Sequence, residues 1–371
     1  MYSLPAMDYK VISADDHLDV RFFPADLWTS RAPAKLKERV PHIEEIDGLP
    51  FWVIDGKRWG RWGQYKSDGP NQWALERGGV MNEGELRPTT PELRLHDMDR
   101  DGVDATVMYG PTDPFYTDDP ELRLELYRGY NSWLEDFTAA CPERLIGASQ
   151  IPLDDPKAAA EEMARVAKLG SRHVNLMAAR AEPPIWHEDW EPFWAIAEEA
   201  GIPVGFHLAV LTFNRPEGEK PKWSNPAADR AAGGFHVNSQ LVEPVCALIF
   251  GGVLDRHPKL KIVLAESDLA WIPYVWSRTP NDPPREGGPK LPTREYFQRQ
   301  IWMTFIQDSA GVEMVRAGIF APDKAMWSSD YPHPASCWPN SQATIERIMK
   351  GVDEPLKKKM LYENAKDLYN L

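Results

Sequence analysis

Three side chains far apart in the chain, His17, His207 and Asp330, are of types that grip a cation, and Asp19 stands beside the first. The stretch Asp15-Asp16-His17-Leu18-Asp19 directly follows an apolar run. On an extended backbone, residues two apart share a face, so Asp15, His17 and Asp19 project together while Asp16 and Leu18 point away. An imidazole among carboxylates offers nitrogen and oxygen ligands for a divalent metal ion. Without such an ion, two carboxylates in one apolar mouth would repel and be costly to desolvate. With it, the pKa of a bound water falls from about 16 to near 7, which makes a nucleophile. Asp330 is then placed to accept the water proton. The same ion can instead polarise a substrate oxygen and tolerate carbanion-like charge.

Such a constellation needs elements that converge at their ends. Short apolar runs at 9–14, 104–109, 146–153, 173–177, 202–209, 261–265, 301–306 and 325–329 read as strands. Helical spacing separates most of them, at 121–140, 157–169, 192–200 and 238–256. Strands alternating with helices indicate parallel βαβ units, and eight of them predict an α/β fold, a (β/α)8 TIM barrel. A doubly wound sheet would carry a glycine-rich turn after its first strand, where this chain has Asp15-Asp16-His17. His17 follows the first strand, His207 ends the fifth and Asp330 closes the eighth, so all three fall on the face where barrel enzymes build sites.

The first connection, about 20–92, is far longer than the usual two to six residues. It holds Trp28, Trp52, Trp59, Trp62 and Trp73 and an Asp55-Gly56 turn. It reads as an inserted lid with a hairpin inside a single domain spanning 1–371. Further long connections are expected at 210–235 and 278–299.

Composition narrows the class. With 371 residues, 43% of them hydrophobic, the chain can bury a large core, which excludes a disordered or fibrous protein. The net charge of −14 and a longest basic run of three lysines, at 357–359, leave no clustered positive field for a phosphate backbone, so no nucleic-acid partner is expected. No stretch reaches the ~18 apolar residues of a membrane span, and residues 1–10 lack the pattern of a signal peptide. Cys141, Cys246 and Cys337 have no ligand spacing, which suggests a reducing, cytoplasmic setting.

Three more histidines are candidates for touching substrate. His173 alternates with Asn175 along the fourth strand, so both face the barrel interior, although a satisfied core histidine has the same pattern. His236 opens the helix after the long fifth connection, and His333 lies three residues past Asp330. His42, His96, His187 and His257 sit in charged surroundings off the strands and read as surface or turn residues.

These residues resemble a known family. The chain is similar to the amidohydrolase superfamily, in the branch typified by aminocarboxymuconate semialdehyde decarboxylase. That branch opens with Asp-x-His-x-His, which stands here as Asp15-Asp16-His17-Leu18-Asp19. Its fifth-strand histidine matches His207 in Pro203-Val204-Gly205-Phe206-His207, and its closing string matches Ser329-Asp330-Tyr331-Pro332-His333. The Gly251-Gly252 segment through His257-Pro258 and the final Glu363-Asn364-Ala365 resemble the family as well. Asp19 replaces the second histidine of the opening motif, and Glu266 stands where the typical member has a sixth-strand histidine.

The resemblance implies a metal set of His17, Asp19, His207, Glu266 and Asp330, with Asp330, Glu266 and His207 also catalytic. Oxygen ligands in place of nitrogen move the preference from zinc toward manganese or iron. Glu266 either supports a second ion, together with His333, or orients a water. The expected activity is metal-activated hydrolysis of a small organic substrate, carboxylated or aromatic. Non-oxidative decarboxylation or hydration on the same site is the alternative. A dinuclear iron or manganese oxygenase and an inactive partner subunit are readings of another class. Arg21, Arg172, Arg180 and Arg278 lie near strand ends as cations for a carboxylate, and the resemblance implies a homodimer.

Overall fold

The computed structural model describes residues 9–63, 74, 86–111, 117–178, 181–207, 240–278 and 288–371. Its strands are β1 (Ile12–His17), β2 (His42–Ile46), β3 (Leu49–Ile54), β4 (Lys57–Arg61), β5 (Ala105–Tyr109), β6 (Leu145–Gln150), β7 (His173–Asn175), β8 (Val204–His207), β9 (Ile262–Ala265), β10 (Ile301–Phe305) and β11 (Ala325–Trp327). Eight of these form one parallel sheet in the order β1-β5-β6-β7-β8-β9-β10-β11. Its two ends meet just past β11, where Asp330 N–H donates to the Asp15 carbonyl at 3.0 Å and His17 N–H to the Tyr331 carbonyl at 2.7 Å. The fold is therefore a (β/α)8 TIM barrel, with the helices Pro91–Asp101, Pro120–Thr138, Pro156–Leu169 and Glu191–Ala200 among those outside it.

Local chemistry sets these elements. Asp119 and Asp155 cap the second and third of these helices, each accepting from two backbone N–H groups of the first turn, with proline following. The helix expected over 238–256 is broken: Val242–Phe250 and Val253–Arg256 are separated at Gly251-Gly252, and Gly252 adopts φ 73°. That left-handed conformation, which glycine takes at little cost, ends the helix.

The strand expected at 9–14 starts at Ile12 instead and carries Asp15, Asp16 and His17 within it. Charged residues there do not break it, because Asp16 finds partners. One carboxylate oxygen accepts from the Ser13 hydroxyl (2.8 Å), the Ser329 hydroxyl (2.7 Å) and Tyr331 N–H (3.0 Å). The other accepts from Thr106 at 2.5 Å.

A register shift lies between Ser13 and Asp16, where three steps along β1 match two along β5. One extra residue in a strand reverses the in-out alternation beyond it. Ile12 and Ala14 thus pack inside the barrel, and so does the pair Asp15 and His17. The interior is filled by Ala105, Val107, Ile146, Ala148, Val263, Ala265 and Met326, with Leu368 and Tyr369 of the final helix against them. Burying each large apolar side chain contributes about 1.5–3 kcal/mol.

The connection from β1 to Pro91 holds a second, antiparallel sheet, β2-β3-β4. Its two tight turns, Asp47-Gly48 and Asp55-Gly56, all have positive φ, as hairpin turns matching the strand twist require. The expected hairpin is thus a three-stranded sheet. Tryptophan N–H groups anchor the insertion, Trp52 to the Val20 carbonyl and Trp62 to the Phe23 carbonyl, both at 2.7 Å. Residues 64–73 and 75–85 of it lie outside the described residues.

Candidate metal centre

Two strand ends and one turn bring the polar groups together. Asp15 and His17 come from the reversed end of β1, His207 from the last residue of β8, and Asp330 from the turn after β11. His17 Nε2 lies 3.7 Å from Asp15 Oδ1 and 3.2 Å from Asp330 Oδ1. His207 Nε2 lies 3.4 Å from Asp15 Oδ1 and 3.8 Å from Glu266 Oε2. The imidazoles of His17 and His207 meet edge-on, with ring centroids 4.7 Å apart.

Asp330 and Glu266 both hold left-handed backbone, with φ 57° and 53°. Such conformations cost non-glycine residues of order 1–3 kcal/mol and persist where the surroundings impose them. Thr304 on β10 ties the centre together. Its hydroxyl accepts from Glu266 N–H at 2.7 Å and donates to Asp15 Oδ2 at 3.2 Å.

These groups fit a divalent cation. Asp15 Oδ1, His17 Nε2 and both Asp330 carboxylate oxygens are buried without a hydrogen bond of sound geometry. Buried polar atoms in folded proteins almost always have a partner, and several acceptors aimed at one point need a positive centre. Two sets, Asp15-His17-His207 and His17-Asp330-His333, have ligand atoms all within 4.8 Å of one another. Mixed imidazole and carboxylate donors suit manganese, iron or zinc.

The protonation pattern is uneven. Burial, assisted by the charge of His333, lowers the His17 pKa to about 4, so its ring is neutral and able to ligate. Burial would raise the Asp330 carboxyl, but His333 and His17 outweigh it and hold Asp330 well below the ordinary carboxylate range. Glu266 is pushed the other way, above that range, first by burial and then by the charge of Asp330. Burial opposes charge on His333, yet Asp330 beside it, at 3.2 Å, raises its pKa.

One expected residue stands apart from the strand-borne ligands, although its charge still acts on His333. β1 ends at His17, so the two-residue alternation does not extend to Asp19. Asp19 instead starts the short 3-10 helix Val20–Phe22 and accepts from Arg21 N–H at 3.1 Å. Asp15, read as facing the mouth but left out of the expected ligand set, takes the position beside His17 and His207. Its signal was present in the spacing to His17. Tyr109 and Thr304 carried no sequence signal, being ordinary strand residues.

His173 faces the interior, but both its nitrogens are engaged. Nδ1 donates to the Pro203 carbonyl at 3.0 Å, so Nε2 accepts from the Tyr109 hydroxyl at 2.8 Å. This places it beneath the centre as a support, away from a substrate. Burial lowers its pKa to about 3. His236 and Arg180 lie outside the described residues. His333 sits at the centre, with 18% of its side chain exposed. His257, read as a surface or turn residue, is buried, with its nitrogens 3.0 Å from Glu191 and 3.2 Å from Glu198. Arg172 precedes β7 and donates to the Pro142 and Leu145 carbonyls. It therefore lies at the opposite end of the barrel from the site, because a residue before a parallel strand cannot reach that strand's carboxyl end. No helix among the described residues is long and apolar enough to cross a membrane.

The chain is similar to several known proteins. The gamma-resorcylate decarboxylase of Rhizobium sp. (strain MTP-10005) is 25% identical over 288 residues, covering 69% of this chain and 82% of that protein. The 2-amino-3-carboxymuconate-6-semialdehyde decarboxylase of Dictyostelium discoideum is 23% identical over 295 residues, covering 76% of this chain and 77% of that one. Among solved structures, the 5-carboxyvanillate decarboxylase of Novosphingobium aromaticivorans, complexed with manganese and 4-hydroxy-3-methoxy-5-nitrobenzoic acid, superposes with a TM-score of 0.68 at 19% identity. The superposition covers 98% of this chain and 97% of that one. A family model described as amidohydrolase matches residues 26–371, and the chain therefore belongs to the amidohydrolase family.

Proposed function

We propose that this enzyme removes the carboxylate of a small hydroxylated aromatic acid as carbon dioxide, without oxidation, at a site holding one divalent metal ion. The sequence alone favoured hydrolysis; two observations move the preference to decarboxylation. The relatives named above are decarboxylases by name, and the centre carries a carboxyl group, Glu266, whose pKa is raised by its surroundings.

The relatives carry the reading, and the acid and base present together in the centre accommodate it. Hydrolysis asks for an ionised base that takes a proton from water, whereas decarboxylation asks for an acid that gives one to carbon. Burial, and then the Asp330 charge, raise the Glu266 carboxyl above the ordinary carboxylate range, which favours its protonated form. Its side chain is 28% exposed while those of Asp15 and Asp330 are fully buried, so a substrate can reach it.

Asp15, His17, His207 and Asp330 are the residues that would hold the ion. When bound, a divalent ion supplies an electrophile that binds the acid's oxygens and lowers the cost of negative charge. Asp330 favours the charged form of His333, a cation that would draw the substrate carboxylate toward the mouth. As the bond between ring and carboxylate carbon breaks, its electron pair stays on the ring carbon. Glu266 delivers the proton that completes the new C–H bond, and the product carboxylate of Glu266 regains a proton from solvent. Manganese, present in the 5-carboxyvanillate decarboxylase structure, is the ion to load first.

The test is release of labelled carbon dioxide from carboxyl-labelled 2,6-dihydroxybenzoate and 5-carboxyvanillate by manganese-loaded protein, in deuterated water and without oxygen. One deuterium should enter the ring for each carbon dioxide lost. Absence of release from hydroxylated aromatic acids, with turnover of an ester or amide instead, would return the reading to hydrolysis.

A further inference from the structure

Gln150 and Asn175 end two adjacent barrel strands, β6 and β7, and pair directly in register. Both belong to the inward set. Ile146 and Ala148, four and two residues before Gln150, pack inside the barrel. His173, two before Asn175, meets Tyr109 there. Both amides are buried, with 5% and 3% exposure. They stand at the carboxyl ends of their strands, the end at which His207 and Asp330 project.

The Asn175 amide N–H donates to Gln150 Oε1 at 3.2 Å. This one bond leaves Gln150 Nε2 and Asn175 Oδ1 buried without a partner among the described residues. An unpaired buried polar atom costs about 1–3 kcal/mol, and apolar residues of the same volume would avoid that cost. The outcome does not depend on how the amides are oriented. Turning both by half exchanges their roles but still leaves one donor and one acceptor. Gly110 belongs to the same arrangement, since a Cβ at this position would stand 2.7 Å from Gln150 Nε2. A glycine there keeps room for the amide.

We infer that Gln150 and Asn175 form a subsite that recognises a hydroxyl on the substrate ring, on the wall between β5 and β8 and next to the strand that bears His207. A hydroxyl is the small group that accepts from one amide and donates to the other. A carboxylate would face Asn175 Oδ1 with like polarity, and a methyl or methoxy group could not donate. The inference deepens the proposed function and takes its substrate class from it, but it concerns binding rather than bond cleavage. A site built around a hydroxyl discriminates strongly against ligands that lack it, because its own polar groups then stay unpaired.

Calorimetric titration of the manganese-loaded protein with 2-hydroxybenzoate and with 2,3-, 2,4-, 2,5- and 2,6-dihydroxybenzoate tests this. At least one dihydroxy isomer should bind about ten- to hundredfold tighter than 2-hydroxybenzoate. In Gln150→Met and in Asn175→Leu that gain should fall to within about threefold of unity, with metal content and melting temperature retained. Equal affinities across the series, or a gain that survives in both variants, would overturn the subsite and leave a water as the partner of the two amides. Loss of binding to every acid in the native protein would overturn it as well. Carbon dioxide release is measured separately, so a protein that selects a hydroxyl yet releases none refutes the reaction and not the subsite.

Discussion

His17 and His333 stack with ring centroids 3.7 Å apart and planes inclined by 14°, and each directs a nitrogen at the same oxygen of Asp330 from 3.2 Å. The two rings nonetheless carry opposite tendencies. His17 is driven toward neutrality and His333 toward charge. One carboxylate thus stands between two imidazoles, one favoured neutral and the other favoured charged.

That division predicts different losses. His207→Ala should lose most bound metal together with activity, because it removes one of the nitrogens aimed at the centre. His333→Asn should keep its metal while binding aromatic acids more weakly. Metal analysis after dialysis decides this. Full occupancy in His207→Ala would remove His207 from the ligand set.

Glu266→Gln keeps size and removes the transferable proton. Its expected effect is a fall in kcat of about 10²–10⁴, with metal content and melting temperature unchanged. Steady-state kinetics checks it, and unaltered turnover would reduce Glu266 to a structural role.

Asp16 should matter for stability without touching substrate. It accepts from Ser13, Thr106, Ser329 and Tyr331 N–H, and the buried guanidinium of Arg94 lies 3.9 Å away. Burial, against these partners, raises its pKa to about 6. Asp16→Ala leaves a buried cation and several donors uncompensated, at a cost of about 3–5 kcal/mol. Because Asp16 also joins β1 to the turn bearing Asp330, metal affinity should weaken in the same variant. Denaturant unfolding measures the first effect and metal titration the second.

His173 supplies a pH dependence whose sign follows from its burial. The unfolded side chain takes a proton below its ordinary value of 6.5, whereas the folded one does so only near 3. Between those values the unfolded state binds more protons, so this group's stabilising contribution is complete above pH 6.5 and is lost as pH falls toward 3. The slope is at most about 1.4 kcal/mol per pH unit. His173→Asn should show a shallower decline than the native chain when both are unfolded metal-free across that range. Parallel curves would show that His173 does not titrate on unfolding.

Much of the architecture is legible in the chain because hydrophobic spacing is a local property. The alternation of apolar runs with helical segments gives eight strands, and 104–109 and 261–265 differ from the observed β5 and β9 by one residue each. The positions of His17, His207 and Asp330 at strand ends follow from the same spacing. Boundaries fail where a tertiary partner overrides local character. β1 continues through Asp15 and Asp16 because Ser13, Thr106 and Ser329 receive the charge, and the helix over 238–256 breaks at Gly252.

The residue types of the centre and the barrel that carries them were thus written in the sequence, since both depend on which side chains recur at which spacing. The spacing put both Asp15 and Asp19 on the face of His17, and only the fold set the different places of the two. The extra residue in β1 turns Asp15 inward, and the strand's end at His17 releases Asp19 to cap a turn. The protonation of Glu266 and the engagement of His173 with Tyr109 likewise arise from neighbours more than sixty positions away. Charge and hydrogen bonding act through space, and no local pattern contains them.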